Sequence, residues 1–188
     1  MRSYERREDI DVDGRVSRGQ ARGMVRRLEA EAERAPAEAT PPPAEGTRAF
    51  PIAGPFRYGD EGAHFGDRGG AHQGEDVFAD CGTPLVAAET GRVVFVDQHA
   101  AAGHYVVLRG VESGEDHVYM HLQEPPSVQR YATVNAGGRI GTVGRTGNAT
   151  ACHLHFEIWT APGWYEGGAP YDPLPSLKRW EAAAAARR

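Results

Sequence analysis

Residues 153–159, His-Leu-His-Phe-Glu-Ile-Trp, constrain the fold of this chain more than any other stretch. Side chains along a β-strand alternate faces with period two. As a strand, the segment sends Leu154, Phe156 and Ile158 into an apolar layer and turns His153 and His155 together to the opposite side. One strand therefore offers two imidazoles to one site. Upstream, His72-Gln73-Gly74-Glu75-Asp76 sets a histidine and a carboxylate four residues apart, with Gly74 between them leaving room for a ligand. If that segment is extended, His72 and Asp76 also share a face. Two histidines and one carboxylate can serve as the protein ligands of a catalytic zinc whose fourth position stays open for water. A pair like His153/His155 alone is more often two surface or hydrogen-bonded histidines than metal ligands, and His72/Asp76 alone is weaker still; their joint occurrence, with a third histidine segment, carries the weight.

That third segment is His117-Val118-Tyr119-Met120-His121-Leu122. Alternation puts His117, Tyr119 and His121 on one face. If this face lines the same groove as His153 and His155, the site holds more imidazoles than a tetrahedral zinc needs, and the surplus become catalytic candidates. From Phe50 onward, short runs rich in β-branched and aromatic residues predict strands at 76–79, 91–96, 105–108, 117–122 and 153–159. Gly82-Thr83-Pro84, Ser113-Gly114 and Gly137-Gly138 are read as breaks between them. Few segments carry a helical period, so the expected fold is an antiparallel all-β domain. The alanine-rich tail, 178–188, predicts a terminal helix.

A length of 188 residues suits one good-sized domain plus an appendage. The formal net charge of −5, with no long basic run, argues against a nucleic-acid partner. No stretch approaches the ~20 apolar residues of a membrane span, so no transmembrane segment is expected. The start, Met1-Arg2-Ser3-Tyr4-Glu5-Arg6-Arg7-Glu8, lacks the apolar core of a signal peptide, which leaves a trimmed mature fragment or an export route that this stretch does not display.

Residues 1–47 differ from the rest. Pro41-Pro42-Pro43 cannot continue a helix and favours an extended spacer, which sets the expected domain boundary at 47/48. Before it, 20–34 predicts one short helix, giving the domain a short N-terminal helical appendage. Ahead of that helix, Asp9, Asp11 and Asp13, followed by Gly14, resemble the start of a calcium-binding loop. The twelfth position is Gln20 rather than an acid and almost nothing precedes the loop, so a solvated acidic turn is the competing reading to Ca2+ binding.

Cys81 lies five residues after Asp76, and Cys152 immediately precedes His153. If both motifs converge on one metal the sulfurs lie near each other, and a disulfide becomes geometrically plausible. Two reduced thiols and a pair of soft metal ligands are the alternatives. A disulfide implies an oxidising compartment.

His72-x-Gly74-x-Asp76, Cys81-Gly82-Thr83-Pro84, Ala88-Glu89-Thr90-Gly91-Arg92-Val93, Tyr119-Met120-His121-Leu122, Gly144-Arg145-Thr146-Gly147 and His153-Leu154-His155-Phe156-Glu157 occur in that order. Together they resemble the lysostaphin-type (LytM-like) zinc endopeptidases, which cut peptide cross-links in bacterial cell-wall peptidoglycan. The likeness runs from about Phe50 to the 171–175 segment, making 48–188 the expected metallopeptidase domain with a zinc-containing groove. The resemblance implies one Zn2+ held by His72, Asp76 and His155, with His121 and His153 facing the open position. One of these two would move protons from water to the leaving amine and the other would donate a hydrogen bond to the oxyanion. It also implies a peptidoglycan peptide as substrate and an extracellular or cell-envelope location.

Glu157 falls on the histidine face and could orient a ligand from behind, but it is left outside the expected site because a strand glutamate is more often solvated. Tyr119 either touches substrate or packs. His64, His99, His104 and His117 are expected to be surface or structural. The rival readings are a non-enzymatic regulator of other wall hydrolases, a zinc-dependent module that grips the wall without cutting it, and a phage-borne lysin or tail component.

Overall fold

The computed structural model describes residues 48–186. The expected short helix at 20–34, the proline spacer and the Asp9/Asp11/Asp13 calcium candidate lie outside the described residues.

The described chain is built from short strands: β1 (Arg57–Tyr58), β2 (Glu75–Phe78), β3 (Pro84–Val86), β4 (Gly91–His99), β5 (Gly103–Gly110), β6 (Asp116–Leu122), β7 (Thr133–Val134), β8 (Arg139–Thr142), β9 (His153–Trp159) and β10 (Pro170–Tyr171). A terminal helix, α1 (Leu174–Ala185), follows. One antiparallel sheet runs in the order β1-β2-β9-β6-β5-β4-β7, with β10 also paired to β9, and β3 and β8 form a separate two-stranded sheet. The expected all-β fold is what the chain adopts. Pro84, expected as a break, opens β3 instead; proline is tolerated at the first residue of a strand on so small a sheet.

Helix α1 starts earlier than the alanine run suggests. Its first turn includes Pro175, where the missing N–H costs nothing, and Ser176, Leu177 and Trp180 form its buried face. That face closes the main core, in which Leu177 and Trp180 pack with Leu154, Phe156 and Ile158 of β9, Tyr119 of β6 and Ile140 of β8. Fully burying such side chains contributes about 1.5–3 kcal/mol each. The opposite face of the large sheet carries a smaller cluster around Tyr105, Val107, Val118 and Trp159.

The disulfide Cys81–Cys152 is formed, across a Cα–Cα distance of 5.3 Å. It ties the segment after β2 to the start of β9, two elements that also pair directly. Among the described residues no helix is long and apolar enough to cross a membrane.

Candidate metal centre and active site

Strand β9 lies between β2 and β6, and all seven of its residues are buried. Leu154, Phe156 and Ile158 enter the main core, so His153, His155 and Glu157 emerge on the other face, as period two requires. On one side His155 is the cross-strand partner of Asp76, on the other of Met120. Directly opposed side chains in an antiparallel pair touch. His155 Nδ1 accordingly sits 2.8 Å from Asp76 Oδ1.

His72 reaches the same point from the loop before β2. Its Nε2 is 3.1 Å from Asp76 Oδ1 and 3.1 Å from His155 Nδ1. The chain bends at Gly74 rather than running extended from His72 to Asp76. Gly74 does not leave room for a ligand; a Cβ there would meet the Phe156 carbonyl oxygen at 2.5 Å and His155 Nε2 at 2.7 Å, so the glycine lets the loop close on β9 and its imidazole.

The donor set fits a zinc ion. His72, Asp76 and His155, all buried, each direct one ligand atom at a common point. His72 Nδ1–H donates to the carbonyl of His64 at 2.7 Å, which leaves Nε2 with its lone pair. His155 Nε2–H donates to Glu157 Oε1 at 3.0 Å, which leaves Nδ1 with its own. Outer partners of this kind fix the tautomer of metal-binding histidines. Two lone pairs and a carboxylate oxygen converging within hydrogen-bond distance call for a cation between them. The electrostatics agree. Burial opposes ionisation of Asp76, yet its hydrogen bonds with His155 and His72 hold the carboxyl far below the usual carboxylate range. Burial likewise opposes charge on His155, but hydrogen bonds with Asp76 and Glu157 outweigh it and push the imidazole up to about 9, so Nδ1 holds a proton against Asp76 that a metal ion would displace.

His121 reaches this face by a different route. The β5–β6 register shifts between His104↔Leu122 and Val106↔Tyr119, placing an extra β6 residue opposite β5. His121 has φ 64, in the left-handed region. Such a bulge re-aims a side chain. The expectation that His117, Tyr119 and His121 share one face is therefore corrected. His117 and Tyr119 point into the main core, where His117 packs against Phe156 and Trp180 and the Tyr119 hydroxyl accepts the Ala88 N–H at 2.8 Å. His121 alone turns to the groove, its ring 4.8 Å from that of His153 and 6.0 Å from that of His155. The Gly144-Arg145-Thr146-Gly147 turn supports it. Thr146 anchors its hydroxyl on the Leu122 carbonyl at 2.7 Å and accepts His121 Nδ1–H on its own carbonyl at 2.9 Å. Gly147, at φ +74, lies so close to Gly103 and Ala101 that no Cβ fits.

His153 is held in the same manner, with Nδ1–H donating to the Ala151 carbonyl at 2.9 Å. Both histidines thus present a free Nε2, that of His153 lying 3.6 Å from Asp76 Oδ1. Burial pushes His121 down to about 4, reinforced by the neighbouring His153, and burial also lowers His153. Both are neutral acceptors at neutral pH.

Three contributors lie outside the expected site. Glu157 takes the orienting role rather than the solvated one: it is buried, and its Oε2 accepts Trp159 Nε1–H at 2.7 Å while Oε1 orients His155. His64 supplies the carbonyl that orients His72, and its Nδ1 lies 2.9 Å from the fully buried Glu75. Arg68 donates from Nη2 to Asp76 Oδ2 at 2.9 Å. For Glu157 the available signal was Trp159, two residues on and on the same face.

Recesses flank the cluster on both sides. One, of about 510 Å3, is walled by Tyr105, Met120, Trp164 and Tyr165; the other, of about 500 Å3, by Arg57, Asp60, Glu61 and Phe78. Arg68, His121, Asn148 and His155 line both.

Two histidines and a carboxylate around one point, with two neutral imidazoles beside them, are the side-chain set of a metal-dependent hydrolase. Residues 70–173, more than half of the chain, match peptidase family M23, and the chain belongs to that family. The peptidoglycan DD-endopeptidase ShyA of Vibrio cholerae is 37% identical over 89 residues, 46% of this chain and 20% of the relative. Lysostaphin of Staphylococcus simulans is 34% identical over 114 residues, 60% of this chain and 22% of the relative. Its structure superposes with a TM-score of 0.59 over 66% of this chain and 50% of that one, at 30% identity. A zinc-containing peptidase from Vibrio cholerae superposes with a TM-score of 0.53 at 28% identity, covering 66% of this chain and 39% of that one. The chain spans about a fifth of the length of these curated relatives.

Proposed function

We propose that the chain is a zinc-dependent endopeptidase that hydrolyses peptide cross-links of bacterial cell-wall peptidoglycan. The observation carrying this reading is the convergence of His72 Nε2, Asp76 Oδ1 and His155 Nδ1, with both histidine tautomers fixed from behind. When bound, zinc supplies Lewis acidity, polarising a carbonyl and making water a usable nucleophile near neutral pH. The residues around it do the rest. Neutral Nε2 of His121 or His153 takes a proton from the nucleophilic water, and the imidazolium so formed is the donor to the leaving amine or the oxyanion. Because both Nδ1–H groups are committed to backbone carbonyls, each histidine begins as an acceptor and becomes a donor only after protonation. Open recesses on both sides accommodate chain on either side of the scissile bond, which suits an endopeptidase.

The disulfide and the wall-acting relatives support an extracellular or cell-envelope location. The regulator and wall-gripping readings predict no turnover. Purified peptidoglycan is the test: zinc-loaded protein releases new amine termini, a chelator stops the release, added zinc restores it, and His155→Ala releases none. Zinc-replete wild-type protein that binds the wall and frees no termini would replace the enzyme reading with the gripping module.

A further inference from the structure

We propose that Arg68 is a substrate-recognition residue whose guanidinium binds a free carboxylate on the carbon next to the scissile nitrogen. The groove then takes cross-links whose leaving residue keeps that carboxylate uncombined. This inference rests on the endopeptidase reading above.

The first observation is backbone strain. Arg68 has φ 59 and ψ 38, between glycines at 66, 69 and 70 that also have positive φ. An arginine stands where glycine is the low-energy occupant, and strained residues of this kind persist where the position of the side chain matters.

The second is the way its donors are used. Nε donates to the Gly62 carbonyl at 2.9 Å and Nη2 to Asp76 Oδ2 at 2.9 Å. These bonds fix the plane of the guanidinium, while Nη1 has no partner among the described residues. The side chain is 56% exposed and borders both recesses. Neighbouring Asp67 turns its Oδ2 to the N–H groups of Gly62 and His64, and Arg68 makes its ion pair with Asp76 instead.

The third is charge. Zinc, when bound, is balanced by Asp76 and the buried Glu157, so the Arg68 guanidinium is a further positive charge at the groove, and Asp60 and Glu61 border only one of the two recesses it lines. An anionic group on the substrate is the complement such a site lacks. A guanidinium with free N–H groups recognises a carboxylate by geometry as well as charge.

Position selects which carboxylate. Arg68 is one hydrogen bond from a metal-ligating residue, so its ligand lies within about one residue, ~3.5 Å of extended chain, of the scissile bond. The α-carboxyl of the acyl-side residue is the scissile carbonyl itself. What remains is the carboxylate on the amine side. A bond between two glycines inside a longer bridge has none there, because that carboxyl is tied up in the next amide.

The test uses two synthetic cross-linked peptides, identical except that the carbon next to the scissile nitrogen bears a carboxylate or a carboxamide. A charge-assisted contact is worth about 10- to 100-fold, so wild-type protein should favour the carboxylate by that ratio in kcat/KM. In Arg68→Gln the ratio falls toward one, and Arg68→Lys restores part of it. Zinc content and melting temperature establish that both variants are folded and loaded. If Arg68 only positioned Asp76, Arg68→Gln would slow both peptides alike and keep the ratio, and that result, like equal cleavage of the two by wild-type protein, overturns the proposal. If neither peptide is cut but purified peptidoglycan is, the proposal falls and the endopeptidase reading stands. If nothing is cut, both fall.

Discussion

Strands β6 and β9 lie side by side and each carries two histidines, 117 and 121 on one, 153 and 155 on the other. On β9 both imidazoles reach the groove; on β6 only His121 does. The difference is one extra residue. β9 pairs in regular register with β2 and β6, so its faces follow from alternation. β6 bulges at 120–121, and the left-handed His121 reverses the side that counting assigns to it. His117, an equally well-placed histidine by counting, becomes a core residue.

Truncating one histidine from each set should separate the groove from the core most widely. His121→Ala should retain zinc and lose ~10² or more in turnover, the scale of a lost general base or oxyanion donor, and His153→Ala should do the same. His117→Ala should instead retain turnover per folded molecule and lose ~2–4 kcal/mol of stability, as large-to-small core changes do. Zinc analysis, steady-state rates and urea unfolding separate the two outcomes; a catalytic defect without destabilisation in His117→Ala would dissolve the distinction.

Next in size is Glu157, which carries the β9 side of the comparison one step further. Glu157→Gln removes the charge behind His155 and should weaken zinc binding ~10- to 100-fold in a competition titration. Unchanged affinity would return Glu157 to a packing role.

The disulfide pins the start of β9 to the segment after β2. Reduction should cost ~2–4 kcal/mol, read as a lower melting temperature that a Cys81→Ser/Cys152→Ser variant does not show on adding reductant.

The smallest effect is the pH dependence that His117 gives to stability. Burial pushes the folded His117 down to about 4, against an unfolded value near ~6.5. Between those values the folded state holds fewer protons than the unfolded one, so the stabilisation is full above pH ~6.5 and drains away as pH falls toward 4. Urea midpoints for His117→Phe should fall less steeply over that window than those of the wild-type protein; identical slopes would remove His117 from the pH response.

What was legible in the sequence follows the same division. The apolar triplet Leu154, Phe156 and Ile158 announces both the strand and the direction of His153 and His155, because no bulge intervenes. His72 and Asp76 could be paired by type and spacing, and the Cys81/Cys152 bridge followed from assuming that the two motifs meet. The rest depends on tertiary context. Nothing local to 117–122 encodes the bulge, which is set by the register of β5 and by the Thr146 turn docking on Leu122. Glu157 is buried only because Trp159 and His155 satisfy both its oxygens. Arg68 looks like one charge in a glycine-rich turn until the fold brings it to Asp76.

In the reading proposed above, one zinc sits where His72, Asp76 and His155 converge, with His121 and His153 beside it but not bound to it. Anomalous diffraction at the zinc absorption edge, from crystals of the zinc-loaded protein, locates the metal. A single strong peak is expected at ~2.0–2.2 Å from His72 Nε2, Asp76 Oδ1 and His155 Nδ1. A peak ligated by His121 or His153 in place of one of these, or no peak in protein that still cleaves peptidoglycan, would contradict it.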